Sequence, residues 1–238
     1  GATDKKAQML RFHSQTGGST LTAKQPMNNI PRVTNQAMSA VLGGTNSLHT
    51  NGYDEALSLP TEEAAQLALR TQQIIAYESG APDTVDPLAG SYFVETLTNQ
   101  VEEEAWKYIE KIDEMGGSTK AIEDGYLQNE IANAAYKYQK DMESGEKVIV
   151  GVNKFISEEE QEIDLLHVDD AIRQKQVEKI EEVKKYRNDE AVNKALQAIE
   201  QASVSDENMM PYLIDAVEAY ATLGEIVDAM KKEFGEYT

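Results

Sequence analysis

Two polar stretches bring together side chains that could do chemistry. They are His13-Ser14-Gln15-Thr16-Gly17-Gly18-Ser19 and His49-Thr50-Asn51-Gly52-Tyr53-Asp54-Glu55. Each places a histidine and an amide residue at positions i and i+2, so at a strand end both side chains can point to one face. Gly17 and Gly18 would let the backbone approach a large ligand closely. Taken singly, either stretch reads first as a structural strand-to-helix turn. Two of them in consecutive units bring the binding-site reading level with the structural one.

Other chemistries find no support in the residues. His13 and His49 have no third ligand and no HExxH spacing, so no metal site is expected. The glycines of Gln15–Thr20 lack the GK[ST] ending of a phosphate-binding loop and do not form GxGxxG. No serine sits in GxSxG. The chain has no cysteine, which removes disulfides, thiolate ligands and cysteine nucleophiles together. His167, after Asp164, reads as a surface histidine.

The elements that must position the two stretches follow from periodicity and punctuation. Met9–Gln15 reads as a strand ended by Gly17-Gly18. Asn28-Asn29 offers a helix cap with Pro31 near the first turn, and Val33, Ala37, Met38, Val41 and Leu42 mark one face up to Gly43-Gly44. Thr45–His49 is a second strand. Thr61 caps a helix that carries acids in its first turn and ends near Ser79. A weaker strand is expected near Asp83–Val85, then a rigid corner at Asp86–Ser91 and a long helix from Phe93 to Met115, with Trp106, Ile109 and Ile112 as core. This is the βα rhythm of a parallel sheet or barrel. His13 and His49 lie 36 residues apart, a plausible single period. A closed (β/α)8 barrel takes roughly 250 residues, and only about three such units fit before residue 117, so the chain cannot close one alone.

Beyond that point the texture changes. Ser118–Glu143 reads as one helix burying Ile122, Leu127, Ile131 and Ala135. Lys147–Phe155 is the clearest strand, and Ser157 with Glu160 forms a capping-box pattern. Asp169–Tyr186 is a charge-laced helix with Ile172, Val177, Ile180 and Val183 inward. Helices follow over Asp189–Ala202 and Met210–Ala221, and Thr222 with Glu225 starts a last helix ending at Gly235.

Composition bounds the function. The chain has 238 residues, 40% hydrophobic and 27% charged, and its net charge is −20. Residues 1–100 carry 6 Lys and Arg against 9 Asp and Glu, whereas residues 101–238 carry 16 against 33. Such an acidic chain is a poor partner for nucleic acid, whose phosphates need a basic footprint. No apolar run of about 18 residues suggests a membrane span, and a cytoplasmic location is expected. The chain opens Gly1-Ala2 without methionine, pointing to processing or a piece of something longer.

The segments RFHSQTGGSTLTAKQPMNNIPR, GGTNSLHTNGYDEALSLPT, VDPLAGSYFVE, KVIVGVNKF and TLGEIVDAMKKEFGEY strongly resemble the catalytic chains of the methylmalonyl-CoA mutase family, whose members use adenosylcobalamin. The likeness runs over essentially the whole chain but covers only the back part of that family's catalytic region. It implies a helix-rich α/β fold: the last βα units of a (β/α)8 TIM barrel over 1–117, then a mainly helical extension with a short β segment over 118–238. It also implies a radical isomerisation, in which the cofactor does the hard chemistry and the protein binds, orients and excludes water.

By position, His13 and Gln15 match the family's strand-end pair beside the adenosyl and corrin pocket. Gly18 matches a glycine that lets its loop lie against the corrin. Asn51 and Glu55 match residues that hydrogen-bond the adenosyl ribose, and Ala56 and Leu59 match residues lining the corrin face. Ser19 departs from the pattern, since many members have tryptophan there. The family's substrate-gripping arginine, catalytic histidine, active-site tyrosine and CoA-binding motifs match nothing here, nor does the cobalt-ligating DxHxxG. No catalytic residue is therefore assigned, and the chain alone is expected to be inactive. Its expected partners are the remaining barrel segment or a longer chain, a cobalamin-binding subunit or domain, and an acyl-CoA substrate, in an oligomer. Methylmalonyl-CoA and succinyl-CoA are the leading substrates. The alternatives are a sister mutase for isobutyryl-, ethylmalonyl- or hydroxyisobutyryl-CoA, and a non-catalytic module that docks the cobalamin subunit.

Overall fold

The structure, a computed structural model, describes residues 2–158 and 163–236. Its chain divides into two units, Gly1–Leu166 and His167–Thr238.

The first unit starts with a short helix, α1 (Lys5–Gln8), capped by the Asp4 side chain. Strand β1 is therefore only His13–Gln15, shorter than the expected Met9–Gln15, because Met9 closes α1. Helix α2 (Asn29–Leu42) follows a single 3-10 turn, Pro26–Asn28. Asn28 sits in the helical region and makes no side-chain cap bond, so the expected cap fails: the 3-10 turn already runs into the helix. Strand β2 is Ser47–His49, within the expected Thr45–His49. It pairs with β1 in parallel, with His13, Ser14 and Gln15 opposite Ser47, Leu48 and His49. A right-handed crossover through a helix is the usual way to join such strands. Helix α3 (Glu62–Glu78) starts as the sequence predicts, with the Thr61 hydroxyl accepting from Ala64 N. Val33 and Ala37 on α2 and Ala64, Ala68 and Ile75 on α3 are buried, and the alanines let the two helices approach closely.

Where a third strand was expected, Ala81–Asp83 forms a 3-10 turn. Pro82 and Pro87 lack the N–H a ladder needs, and Asp86 takes a left-handed conformation at φ 49°. The corner at residues 86–91 does form, closed by Ala89 N to Asp86 O and Ser91 N to Leu88 O. Helix α4 (Tyr92–Glu114) follows, but none of its apolar side chains is fully buried. Trp106 is 52% and Ile109 44% exposed, so they are not the core expected of them, and Ile112 is half-buried. The expected helix Ser118–Glu143 is two helices, α5 (Ser118–Glu123) and α6 (Tyr126–Ser144), broken at Gly125 with φ 72°. Ile122, Ile131 and Ala135 are exposed and only Leu127 is half-buried. A helical period identifies a face, not what covers it.

The segment 147–155 is no strand. It is a turn closed by one bridge between Val150 and Lys154, with Gly151 at φ 81°. The Asn153 side chain holds the turn, accepting from Ile149 N and donating to Met142 O and Lys147 O. These bonds satisfy groups that a strand would have offered to a neighbour. Of the proposed Ser157–Glu160 pair, Glu160 lies outside the described residues.

The second unit is helical: α7 (Asp170–Tyr186), α8 (Asp189–Ser203), α9 (Met210–Glu218) and α10 (Leu223–Phe234). Its core joins Ile199, Ala216, Ile226 and Ala229. The capping box of Thr222 and Glu225 is present as the sequence predicts. Glu225 also receives both terminal nitrogens of Arg187 at 2.7 Å. By contrast, Ile172, Val177, Ile180 and Val183 on α7 are exposed, against the inward placement their spacing suggests.

Candidate functional site

The polar loops leave the carboxyl ends of β1 and β2, which lie side by side. Thr16 N donates to His49 O at 3.1 Å, carrying the parallel ladder one step past the strands. Asn51, 2% exposed, then links the loops. Its backbone N donates to Thr16 Oγ1 at 3.0 Å and its Nδ2 to Thr16 O at 3.0 Å. Its Oδ1 accepts from Gln15 Nε2 at 3.0 Å. Every polar atom of the Asn51 side chain is thus committed to the first loop.

Helix α2 locks this arrangement from the side. Asn29, fully buried, accepts from Thr22 N through Oδ1 and donates through Nδ2 to Thr22 O and Tyr53 O. One amide therefore holds both loops. Arg32 donates to Asn29 Oδ1 at 2.8 Å and to Thr22 Oγ1 at 3.0 Å, fixing that amide's orientation. Two turns along, Gln36 Oε1 accepts from Gly17 N and its Nε2 donates to Thr20 Oγ1, both at 2.6 Å. Thr50 is anchored to α3 through Ala68 O and Gln72. Burial, then the carboxylates of Glu63, Asp54 and Asp164, raise the Tyr53 phenol above its usual range, so it stays protonated at neutral pH.

Gly18 opens a 3-10 turn, Gly18–Thr20. A Cβ built there would collide with the Glu55 carboxylate and lie 2.9 Å from Asn51 Nδ2. The missing side chain is thus what lets Glu55, from the second loop, lie over the first. Gln15, Gly18, Asn51 and Glu55 form one cluster. His13 stands beside it on the exposed face of β1, its Nδ1 2.8 Å from Ser47 Oγ. Ala56 and Leu59 follow Glu55 on the same turn, both exposed, Leu59 by 62%. Ser19 is exposed beside Gly18. His49 is exposed whereas Asn51, two residues on, is buried; in the first stretch His13 and Gln15 are both exposed and Thr16 is the residue that turns inward. His167 is exposed.

Four residues that hold the cluster were not singled out from sequence: Thr16, Asn29, Gln36 and Asp54. Asn29 looked like a capping position, and only its burial reveals the cross-link. Asp54 is fully buried, and its Oδ2 accepts from Thr61 N at 2.9 Å. The arrangement offers the exposed Glu55 carboxylate and the Gln15 amide oxygen at one mouth, both able to accept from hydroxyl groups of a ligand. Among the described residues no group of three His, Asp or Glu converges as a metal site would. No helix there is long and apolar enough to cross a membrane.

Comparison with known proteins places these loops in context. The family model described as methylmalonyl-CoA mutase matches residues 1–236. The chain is 47% identical over 232 residues to a methylmalonyl-CoA mutase of Rhizobium meliloti (strain 1021), covering 97% of this chain and 33% of that protein. It is 44% identical over 239 residues to a 2-hydroxyisobutanoyl-CoA mutase large subunit of Aquincola tertiaricarbonis, covering 100% of this chain and 42% of that one. Against the mitochondrial methylmalonyl-CoA mutase of Mus musculus the identity is 45% over 236 residues, with 98% and 32% covered. The chain therefore spans about a third to two fifths of the length of these relatives.

Proposed function

Because the chain belongs to the methylmalonyl-CoA mutase family, we propose that it supplies one wall of the cofactor pocket of an adenosylcobalamin-dependent acyl-CoA mutase. That enzyme would interconvert methylmalonyl-CoA and succinyl-CoA, with the rest of the catalytic barrel, a cobalamin-binding subunit or domain, and an oligomeric assembly as its partners. The observation that carries the reading is the Glu55 carboxylate lying over Gly18 with Asn51 beneath it. A carboxylate accepts from both hydroxyls of a ribose, and a glycine leaves room for a broad ring to approach backbone, so the donor set fits the cofactor.

When bound, adenosylcobalamin supplies the radical chemistry. The residues of this chain bind and orient. Glu55 accepts from ribose hydroxyls and so limits where the adenosyl group can move. Asn51 cannot turn away, since its side chain is held by Gln15 and Thr16. His13 and Gln15 form the polar edge of the pocket. Gly18, Ala56 and Leu59 present small or apolar surface, which keeps water from the corrin face. No side chain here is assigned a bond-making step. A cytoplasmic location is our reading for the assembly.

A second substrate reading is favoured by the Aquincola relative, named a 2-hydroxyisobutanoyl-CoA mutase large subunit, whose identity is within a few per cent of the others. The test is turnover of the assembled enzyme on methylmalonyl-CoA, succinyl-CoA and 2-hydroxyisobutanoyl-CoA, with and without Glu55→Ala. Loss of turnover and of adenosylcobalamin affinity in the variant supports the proposal. Unchanged values on every thioester sink it.

A further inference from the structure

Asp54 poses a problem that the pocket itself does not answer. It is fully buried, yet its Oδ1 has no hydrogen-bond partner among the described residues. A buried carboxylate with an unsatisfied oxygen carries a desolvation cost. The other carboxylate oxygen and the backbone carbonyl both have partners. Its Oδ2 accepts from Thr61 N at 2.9 Å. Its backbone carbonyl accepts from Leu57 N at 2.8 Å and Ser58 N at 3.0 Å. The lone oxygen occupies space that a side chain at Gly52 would need, since a Cβ there would lie 2.6 Å from it.

We propose that Asp54 is a positioning residue: it staples the turn of residues 54–61 to the start of α3 and thereby holds Glu55 over Gly18. The inference rests on the reading of Glu55 as the ribose-binding carboxylate. The turn makes one end of its loop fast through the Asp54 carbonyl and the other through the Asp54 carboxylate. Glu55, Ala56 and Leu59 lie between those two anchors and have no choice but to project outward. Thr61 caps α3 with its hydroxyl accepting from Ala64 N and sits at φ −68°, so the anchor point is tied into the helix.

The experiment is a double-mutant cycle on adenosylcobalamin affinity in the assembled enzyme, paired with amide hydrogen exchange at Leu57, Ser58 and Thr61. Asp54→Ala should weaken binding about tenfold with Glu55 present and less than about twofold in a Glu55→Ala background, the mark of residues acting as a unit. It should also speed exchange at the three amides. Asp54→Asn keeps an oxygen for Thr61 N and should stay within about threefold of the parent. Should Asp54→Ala fail to fold, the Thr61 pair decides. Thr61→Pro removes the donated N–H at a φ that already suits proline, while Thr61→Ala keeps it. The proline variant should bind at least about fivefold more weakly than the alanine one. Equal weakening by Asp54→Ala in both backgrounds, or equal behaviour of the two Thr61 variants, would overturn the role given to Asp54. A Glu55→Ala enzyme that binds adenosylcobalamin like the parent would instead overturn the ribose reading beneath it.

Discussion

Gln15 Nε2 and Asn51 Oδ1 meet at 3.0 Å across 36 residues of sequence. The bond joins the loops of two consecutive βα units, and Asn51 completes it by donating to Thr16 O. Asn51→Ala leaves that carbonyl and the Gln15 amide without partners and should cost about 2 kcal/mol of stability. Asn51→Asp should cost at least as much, because a carboxylate cannot donate to Thr16 O. Urea unfolding of the chain checks both, and an Asp variant as stable as the parent would contradict the geometry.

Gly18 separates stability from binding. A methyl group there meets the end of a flexible, exposed Glu55 and the fixed Asn51 amide. Glu55 can swing aside but the Asn51 amide cannot, so Gly18→Ala should lower stability by about 2 kcal/mol. In the assembled enzyme, adenosylcobalamin affinity should fall about tenfold, because the carboxylate has been displaced from its post. Calorimetric melting and a cofactor titration on the same variant test the two halves.

Ser19 is the reverse case. It is exposed next to Gly18, and tryptophan at this place would add apolar surface to the pocket wall. Ser19→Trp should tighten adenosylcobalamin binding about threefold. Weaker binding would show that the first loop has no room for the ring.

The second unit gives a prediction in pH. The Arg187 guanidinium holds the Glu225 carboxyl far below the usual carboxylate range, with Thr222 assisting against the effect of burial. Glu225 is thus depressed in the folded state. Its contribution is complete above the unfolded value of about 4.3 and is lost as pH falls below that toward the folded value. Glu225→Gln should be about 2 kcal/mol less stable than the parent at pH 7. That gap should narrow steadily from about pH 4 downward. Unfolding curves of the two proteins between pH 7 and pH 2 measure it, and a gap independent of pH would refute the ion pair's contribution.

What was legible in the sequence follows from how local each signal is. The Thr61 cap, the Thr222–Glu225 capping box and the glycine stop at residues 43 and 44 are short-range, and all appear in the structure. That β1 and β2 run parallel followed from the βα rhythm, while their register is seen only in the structure. KVIVGVNKF misled because alternation needs a partner strand, and the Asn153 side chain supplies local bonds instead. The apolar stripes of α4, α6 and α7 were legible as stripes, while their exposure depends on what packs over them. At the site, the loops were visible as polar runs with glycines. The roles of Asn29, Gln36 and Asp54 were not, since each depends on a contact with a residue far along the chain or on burial.

Asn29 and Gln36 occupy the same face of α2, two helical turns apart, and both grip the first loop. Their separation works as a ruler. Inserting or deleting one residue between them would rotate Gln36 by about 100° around the helix and release Gly17 N. Substitutions on the outer face of α2 leave that ruler intact. Changes of length do not, and tolerance to insertion should collapse within this helix while the loop after Gly80 accepts it.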